Sequence, residues 1–172
     1  MHINELLKLG VMRKSTSRHR SPAVLVNKHS EQVRSKSRMV IDYHYLNNNT
    51  VDNANDIPDK TKLINSIQKS KIFSKFDCKS GFWQIKMYHD SIEWTAFTCP
   101  LGHYEWLVMP FGLKNAQSIF QRKMDTIFNQ YKNFVCVYID DILALSKNKE
   151  EHISHLKLVL SEFLKQGIAI SG

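Results

Sequence analysis

Two adjacent carboxylates, Asp140 and Asp141, interrupt the longest apolar stretch of the 172-residue sequence, residues 134–145. Burying an unpaired carboxylate is costly even after the protein relaxes, and two neighbouring ones also repel each other. One explanation is a tight turn that exposes both to water, because Asp is common in turns. The other is a divalent cation, since Mg²⁺ binds through one or two carboxylates together with substrate phosphates.

A third acid, Asp77, closes the β-prone run of residues 72–76. Acids at the ends of neighbouring strands are able to share two metal ions about 4 Å apart. Such ions activate an attacking hydroxyl and stabilise the leaving oxygen of an in-line phosphoryl displacement. The three acids together therefore indicate phosphoryl-transfer chemistry, with exposure in turns as the alternative.

The positive charge of the chain is concentrated at its start. The net charge is +8, and residues 1–40 hold nine Lys or Arg against two Glu, a difference of +7. This asymmetry indicates an anionic partner, either nucleic acid or a membrane surface, unless the bases form an ordinary solvated surface. A hydrophobic fraction of 42% and a charged fraction of 23% are typical of a globular domain, and they exclude disordered, collagenous and disulfide-scaffold classes.

The cysteines and the apolar segments indicate an intracellular protein, with cytoplasm and nucleus not distinguished. Three widely spaced cysteines without a Cys-x-x-Cys pair are typical of reduced thiols. The N-terminus lacks the apolar core of a signal peptide. No stretch approaches the roughly 20 apolar residues of a membrane span, so we expect no membrane-spanning segment.

The elements that must position the acids alternate between strand and helix patterns. The sequence predicts helices over residues 3–9, after Asp59, and over 115–131 and 150–166, and strands over residues 23–27, 38–42, 72–77, 84–87, 95–98, 104–109 and 134–146, with another starting at 168. Residues 28–37 read as a hairpin tip. His152 and His155 lie on the last helix without a third metal ligand, which predicts solvent-exposed histidines. This mixture favours an α+β fold, an antiparallel sheet covered by helices on one face.

Several long segments then match one family in order and spacing. Tyr138, Ile139, Asp140 and Asp141 match its Tyr-x-Asp-Asp turn, and residues 76–84 match its first acidic motif. The other matching segments are residues 19–23, 38–43, 94–100, 102–116 and 119–125. In these motifs the chain resembles the reverse transcriptases of plant pararetroviruses of the caulimovirus group, with gypsy-type long-terminal-repeat retrotransposons next nearest.

The resemblance implies the fingers and palm of a right-hand polymerase, whose antiparallel palm sheet packs on helices. Residues 1–51 and 85–115 would form the fingers, and residues 52–84 and 116–172 the palm. The thumb and the RNase H domain would be missing from this chain, which would derive from a retroelement or an endogenous pararetrovirus. Such an enzyme is normally part of a larger polyprotein that also contains a protease. The resemblance places the basic residues 1–40 in the fingers, facing a template strand and a triphosphate, so we expect no membrane partner.

The resemblance also assigns the chemistry. Asp77, Asp140 and Asp141 would be catalytic and would hold two Mg²⁺ ions, with Mn²⁺ as a substitute, and the backbone carbonyl of Cys78 would add a ligand. The 3′-hydroxyl of a primer on an RNA or DNA template would attack the α-phosphate of a deoxynucleoside triphosphate and release pyrophosphate.

The remaining site residues also follow from the resemblance. Arg38 and Lys36, with Lys28 as an alternative to Lys36, would contact the triphosphate. Phe82 would pack under the sugar and exclude a 2′-hydroxyl, and Phe111 would lie near the sugar. From their residue types alone, the less favoured alternatives are a surface arginine for Arg38 and a core aromatic for Phe82.

Three further residues, Gln121, Tyr138 and Ile139, would meet the template or primer, although Gln121 is equally a helix-surface residue. Two other functions stay open. One is a catalytically inactive remnant that binds nucleic acid, and the other is an unrelated two-metal nuclease. Residues 38–43 and 109–116 argue against the nuclease, which has no need of them.

Overall fold

The computed structural model describes residues 3–26, 38–53, 60–68 and 70–171. The chain divides into two units, Met1–Asp52 with Ile85–Ala116, and Asn53–Gln84 with Gln117–Gly172. The boundaries lie within one residue of those that the resemblance implies for fingers and palm. The assignment of the units to those two subdomains stays a prediction.

The elements follow one another in mixed order. They are α1 (Ile3–Lys8), β1 (Met12–Lys14), β2 (Ser21–Val26), β3 (Arg38–Ile41), α2 (His44–Asn48), α3 (Lys60–Gln68), β4 (Ile72–Asp77), β5 (Phe97–Cys99), β6 (Gly102–Trp106), α4 (Ala116–Phe128), β7 (Val135–Tyr138), β8 (Asp141–Ser146) and α5 (Lys149–Gln166). None of the helices in the described ranges is long and apolar enough to cross a membrane.

The first unit is built on a five-stranded sheet with the order β1-β6-β5-β2-β3. Its pairs are antiparallel except for β2 and β5, which run parallel. Phe97 is fully buried at the centre, and its ring lies 6.1 Å from that of Trp106. The Tyr43 hydroxyl donates to the carbonyl of Thr95 at 2.8 Å. A buried aromatic core thus holds the sheet to the α2 segment.

The second unit contains a three-stranded antiparallel sheet, β4-β8-β7. Side chains alternate between its two faces, as the pleat requires. One face packs on the helices, with Val137 and Ile142 buried and Phe76 edge-to-face with Phe163 of α5 at 5.4 Å. The other face carries the exposed side chains of β4, Phe73, Lys75 and Asp77. The predicted acid therefore lies on the open face of the sheet.

Helix α5 has a well-formed cap at each end. The side chain of Asn148 accepts a hydrogen bond from the Glu151 amide at 2.9 Å, and Gly167 ends the helix with φ 67°. A left-handed residue after a helix is usually Gly, since a Cβ is strained there. These two residues explain why the helix keeps the length that its apolar pattern predicts.

We expect Asn148→Ala to lower the free energy of unfolding by about 1 kcal/mol, because an N-terminal amide of α5 loses its partner. Urea denaturation followed by circular dichroism measures the change. Asn148→Asp keeps an acceptor and should retain most of the stability. Equal destabilisation by Ala and Asp would contradict the capping role.

Several predicted elements differ from the observed ones. Residues 84–87 are not a strand, because a 3₁₀ turn covers Gly81–Gln84 and Lys86 makes an isolated bridge with Val108. Helix α4 ends at Phe128, after which a 3₁₀ turn continues to Tyr131. The predicted strand start at 168 is reduced to one bridge between Ile170 and Cys78. The predicted hairpin tip and Asp59 lie outside the described residues.

The prediction of a solvent-exposed His152 is wrong. Its ring is buried, with Nε2 2.9 Å from the Ser74 hydroxyl and Nδ1 2.9 Å from the Ser146 hydroxyl. These hydroxyls come from β4 and β8, so a pattern confined to α5 could not reveal them. His155 stacks on Phe134 at 3.7 Å between ring centres. Both histidines thus connect α5 to other residues of the second unit, His152 to β4 and β8 and His155 to Phe134.

Candidate active site

Asp140 lies in a two-residue turn. Strand β7 ends at Tyr138, β8 begins at Asp141, and these two residues pair across the hairpin. The first turn residue, Ile139, has φ 55°, in the left-handed region. Asp140, the second turn residue, does not have a positive φ, and a positive φ at the first position alone is typical of a type II′ hairpin turn, which normally carries Gly there. A β-branched residue in this conformation is strained and needs support from its surroundings.

That support comes from Gln121 of α4. Its side-chain carbonyl accepts a hydrogen bond from the Ile139 amide at 2.7 Å, and its side-chain amide donates to the Val137 carbonyl at 3.2 Å and to Asp125 at 2.8 Å. The side chain is 0% exposed. The predicted contact of Gln121 with a template strand is therefore wrong, and so is its alternative placement on the helix surface. Gln121 instead bonds the turn that carries Asp140.

The pairing of β4 with β8 places Asp77 directly opposite Asp141. Asp140 belongs to the adjoining turn, and its backbone carbonyl accepts a hydrogen bond from the Cys78 amide at 3.1 Å. Burial, followed by the negative charges of Asp140, Asp77 and Asp141, raises the pKa of the Cys78 thiol to about 11. The buried Cys78 thiol is therefore close enough to all three acids to be affected by their charge, and the acids lie at the same end of the sheet.

Asp141 is paired with a positively charged side chain, and Asp77 is paired with a neutral one. The Lys75 ammonium lies 2.9 Å from Asp141, and the pKa of Lys75 is raised chiefly by this hydrogen bond and by the charge of Asp141. Asp77 accepts a hydrogen bond from the neutral hydroxyl of Ser171 at 3.1 Å. Neither Lys75 nor Ser171 was expected from the sequence. Ser171 follows the predicted strand start at 168, which is the one signal that could have brought it to this edge.

Three carboxylates at one strand edge match the oxygen ligands that hard divalent cations prefer. Within the described ranges, however, no three His, Cys, Asp or Glu side chains are already grouped as a metal site. The chemistry of the donors fits Mg²⁺, while the side chains of Asp77 and Asp141 are directed to Ser171 and Lys75.

Comparison with known proteins decides the family. Residues 26–172 match the family model described as reverse transcriptase (RNA-dependent DNA polymerase). This chain belongs to the reverse transcriptase family. The resemblance seen in the motifs is thereby confirmed.

The proteins that this chain resembles include viral polyproteins. It is 51% identical over 169 residues to the enzymatic polyprotein of Cauliflower mosaic virus (strain Strasbourg), covering 98% of this chain and 25% of that protein. It is 49% identical to the putative enzymatic polyprotein of Cassava vein mosaic virus, covering 99% of this chain and 27% of the other. The chain thus spans about a quarter of the length of these proteins. The predicted resemblance to the reverse transcriptases of the caulimovirus group is confirmed.

Solved structures confirm the α+β polymerase fold. The foamy viral protease-reverse transcriptase in complex with double-stranded DNA matches with a TM-score of 0.86 and 29% identity, over 98% of this chain and 29% of that one. The same viral protein in complex with an RNA/DNA hybrid matches with a TM-score of 0.82 and 28% identity, over 98% of this chain and 22% of that one.

The residues predicted to bind the nucleotide are described only in part. The backbone of Arg38 pairs with Val26 at the start of β3, and the Arg38 side chain, Lys36 and Lys28 lie outside the described residues. Phe82 is 9% exposed and edge-to-face with Phe120 at 5.5 Å, so it is a core aromatic in this reverse transcriptase. Its predicted place under a sugar stays a prediction.

Phe111 lies in a turn that the side chain of Asn47, in α2, holds through two hydrogen bonds. The Asn47 amide donates to the Gly112 carbonyl at 2.8 Å, and its carbonyl accepts from the Lys114 amide at 2.8 Å. Phe111 itself is 54% exposed. Its role near the sugar stays a prediction, but Asn47 is a positioning residue that sequence reasoning missed, since α2 is distant in sequence.

Tyr138 and Ile139, predicted to meet the template or primer, are both half-buried. Tyr138 pairs with Asp141, so the two residues share the open face of the sheet. Contact with nucleic acid stays a prediction for both residues, as does the ligand role of the Cys78 carbonyl.

The raised pKa of Cys78 predicts that its thiol is alkylated slowly. We expect iodoacetamide at pH 8 to modify Cys78 at least tenfold more slowly than Cys99 or Cys136, because the thiolate is the reactive form and Cys78 is also buried. Mass spectrometry of the digested protein measures each rate. The urea-unfolded protein is the control, in which the three rates should become similar. Equal rates in the folded protein would contradict the buried, acid-flanked environment.

Proposed function

We propose that this reverse transcriptase domain carries out RNA-directed and DNA-directed DNA synthesis, adding deoxynucleotides to the 3′-hydroxyl of a primer by a two-metal mechanism. The observation that carries the proposal is the convergence of Asp77, Asp140 and Asp141 at the open end of the β4–β8–β7 sheet. Such acids are needed wherever phosphoryl transfer depends on bound cations.

In this proposal the residues around the three acids have separate roles. Asp77, Asp140 and Asp141, with the Cys78 carbonyl, would hold two Mg²⁺ ions, or Mn²⁺ in their place. Bound there, the ions would supply the Lewis acidity that nucleotidyl transfer requires. The paired strands fix Asp77 against Asp141, and Gln121 fixes the turn of Asp140. The scaffold thus fixes the backbone positions of the acids before the reaction, and their side chains turn from Ser171 and Lys75 to the metal when it binds.

The two units take the family's roles in this proposal. The first unit, which contains the basic residues 1–40, forms the fingers, and the second forms the palm. Arg38 and Lys36 would bind the triphosphate, Phe82 and Phe111 would contact its sugar, and Tyr138 and Ile139 would meet the primer-template. The chain would act as part of a longer polyprotein with a protease and RNase H, as the length of its relatives suggests.

A primer-extension assay tests the proposal. The purified chain is given a labelled DNA primer on an RNA or DNA template, the four deoxynucleoside triphosphates and Mg²⁺. We expect primer lengthening that disappears with EDTA and in Asp77→Asn. Extension equal to that of Asp77→Asn would mean that the chain is not a polymerase by itself. A second label on the template detects cleavage, and Asp77-dependent cleavage without extension would instead identify a nuclease.

A further inference from the structure

Lys75 lies among the acids although the proposed mechanism gives it no task. It faces Leu143 in the β4–β8 ladder, two pairs away from the pair that Asp77 and Asp141 form on the same strands. Because residues two apart on a strand share a face, Lys75 and Asp77 both lie on the open face. The ammonium reaches diagonally to Asp141, with 2.9 Å between Nζ and Oδ1.

This ion pair and a metal ion would compete for the same carboxylate, that of Asp141. An ammonium offers three donors and carries a positive charge, so at hydrogen-bond distance it repels a cation that approaches Asp141. The pair is not locked by burial, since the side chains of Lys75 and Asp141 are 57% and 40% exposed. Lysine also has a flexible four-carbon stem and a well-hydrated head, so the ammonium is able to withdraw into water at little cost.

We propose that Lys75 is a positioning residue that acts as an internal counter-cation: it holds Asp141 before the metal ion arrives, is displaced by that ion, and thereby weakens the affinity of the site for divalent cations. The inference rests on the proposed function in one respect, that Asp141 is a metal ligand. In the metal-free protein, the positive charge of Lys75 would reduce the repulsion among the three acids.

The second acid provides an internal comparison. Asp77 is held by the neutral hydroxyl of Ser171 at 3.1 Å, so removing that partner deletes a hydrogen bond without changing the charge. A charge effect of Lys75 is therefore distinguishable from the simple loss of a carboxylate partner.

Titration of the metal alone tests the inference, without nucleic acid or nucleotide. Binding of Mn²⁺ is followed by electron paramagnetic resonance in wild type, Lys75→Met, Lys75→Arg and Ser171→Ala. We expect Lys75→Met to bind about fivefold more tightly, a factor in keeping with an exposed ion pair. Lys75→Arg keeps the charge and should bind as wild type does, and Ser171→Ala should show no comparable gain.

Thermal unfolding provides a second readout. Because a ligand stabilises the folded state according to its affinity, Mg²⁺ should raise the unfolding temperature of Lys75→Met more than that of wild type. Circular dichroism confirms that each variant is folded, and Lys75→Gln replaces the Met variant if the latter is not.

The outcomes separate the two proposals. Wild-type Mn²⁺ binding that is lost in Asp140→Asn but unchanged in Lys75→Met overturns the counter-cation role alone. Equal gains in Lys75→Met and Lys75→Arg overturn it as well, because the charge would then be irrelevant. Absence of Mn²⁺ binding in every protein overturns the proposed two-metal function, and this inference with it.

Discussion

Asp140→Asn is expected to reduce primer extension by roughly 10³-fold or more, the largest effect on activity for which we give a magnitude. Asparagine has nearly the same shape but no charge, so it holds a hard cation far less well. Asp140 lies in the turn between β7 and β8, beside Asp141 and the Cys78 amide. Its backbone contact survives the substitution, so the loss should come from the missing charge.

Stability separates this effect from misfolding. Removing one of three converging negative charges relieves repulsion, so the metal-free Asp140→Asn protein should be at least as stable to urea as wild type. Asp90→Asn is the matched control, because that side chain is 81% exposed and its ion pair is with the adjacent His89. Primer extension by Asp90→Asn should equal that of wild type. Substantial extension by Asp140→Asn would remove Asp140 from the catalytic machinery.

Gln121→Ala is expected to lower the free energy of unfolding by about 3 kcal/mol, the largest stability effect that we predict. The substitution removes the acceptor of the Ile139 amide and the donor to the Val137 carbonyl, and it opens a cavity under the turn. A buried polar group without a partner costs about 1–3 kcal/mol, and the cavity adds to this. Primer extension should fall as well, because the strained turn carries Asp140.

Urea denaturation of two further variants makes this prediction specific. Gln117→Ala changes the same residue type one turn earlier in α4, at an exposed position, and should alter stability by less than about 0.5 kcal/mol. Gln121→Met fills the space without the hydrogen bonds, so its deficit relative to wild type measures the polar contribution. If Gln121→Ala were as stable as Gln117→Ala, the buried amide would not hold the turn.

Local patterns in the sequence predicted the elements that carry the acids. The apolar periodicity of residues 150–166 and the Gly that follows predicted α5 almost to the residue. The β-prone runs on either side of Asp140 predicted the hairpin, and Asp77 was expected at the end of its strand. These features depend on neighbours in sequence, and for that reason a single chain reveals them.

By itself, then, the sequence determined the family, the α+β class and the three acids, through residue types and spacings within short segments. Only the tertiary structure decided what surrounds those acids. Gln121 reaches a turn 18 positions away, His152 bonds serines of two strands, and Lys75 meets Asp141 across a strand register. The physical reason is that burial and charge pairing depend on which distant segments fold together, and no local pattern encodes the partner.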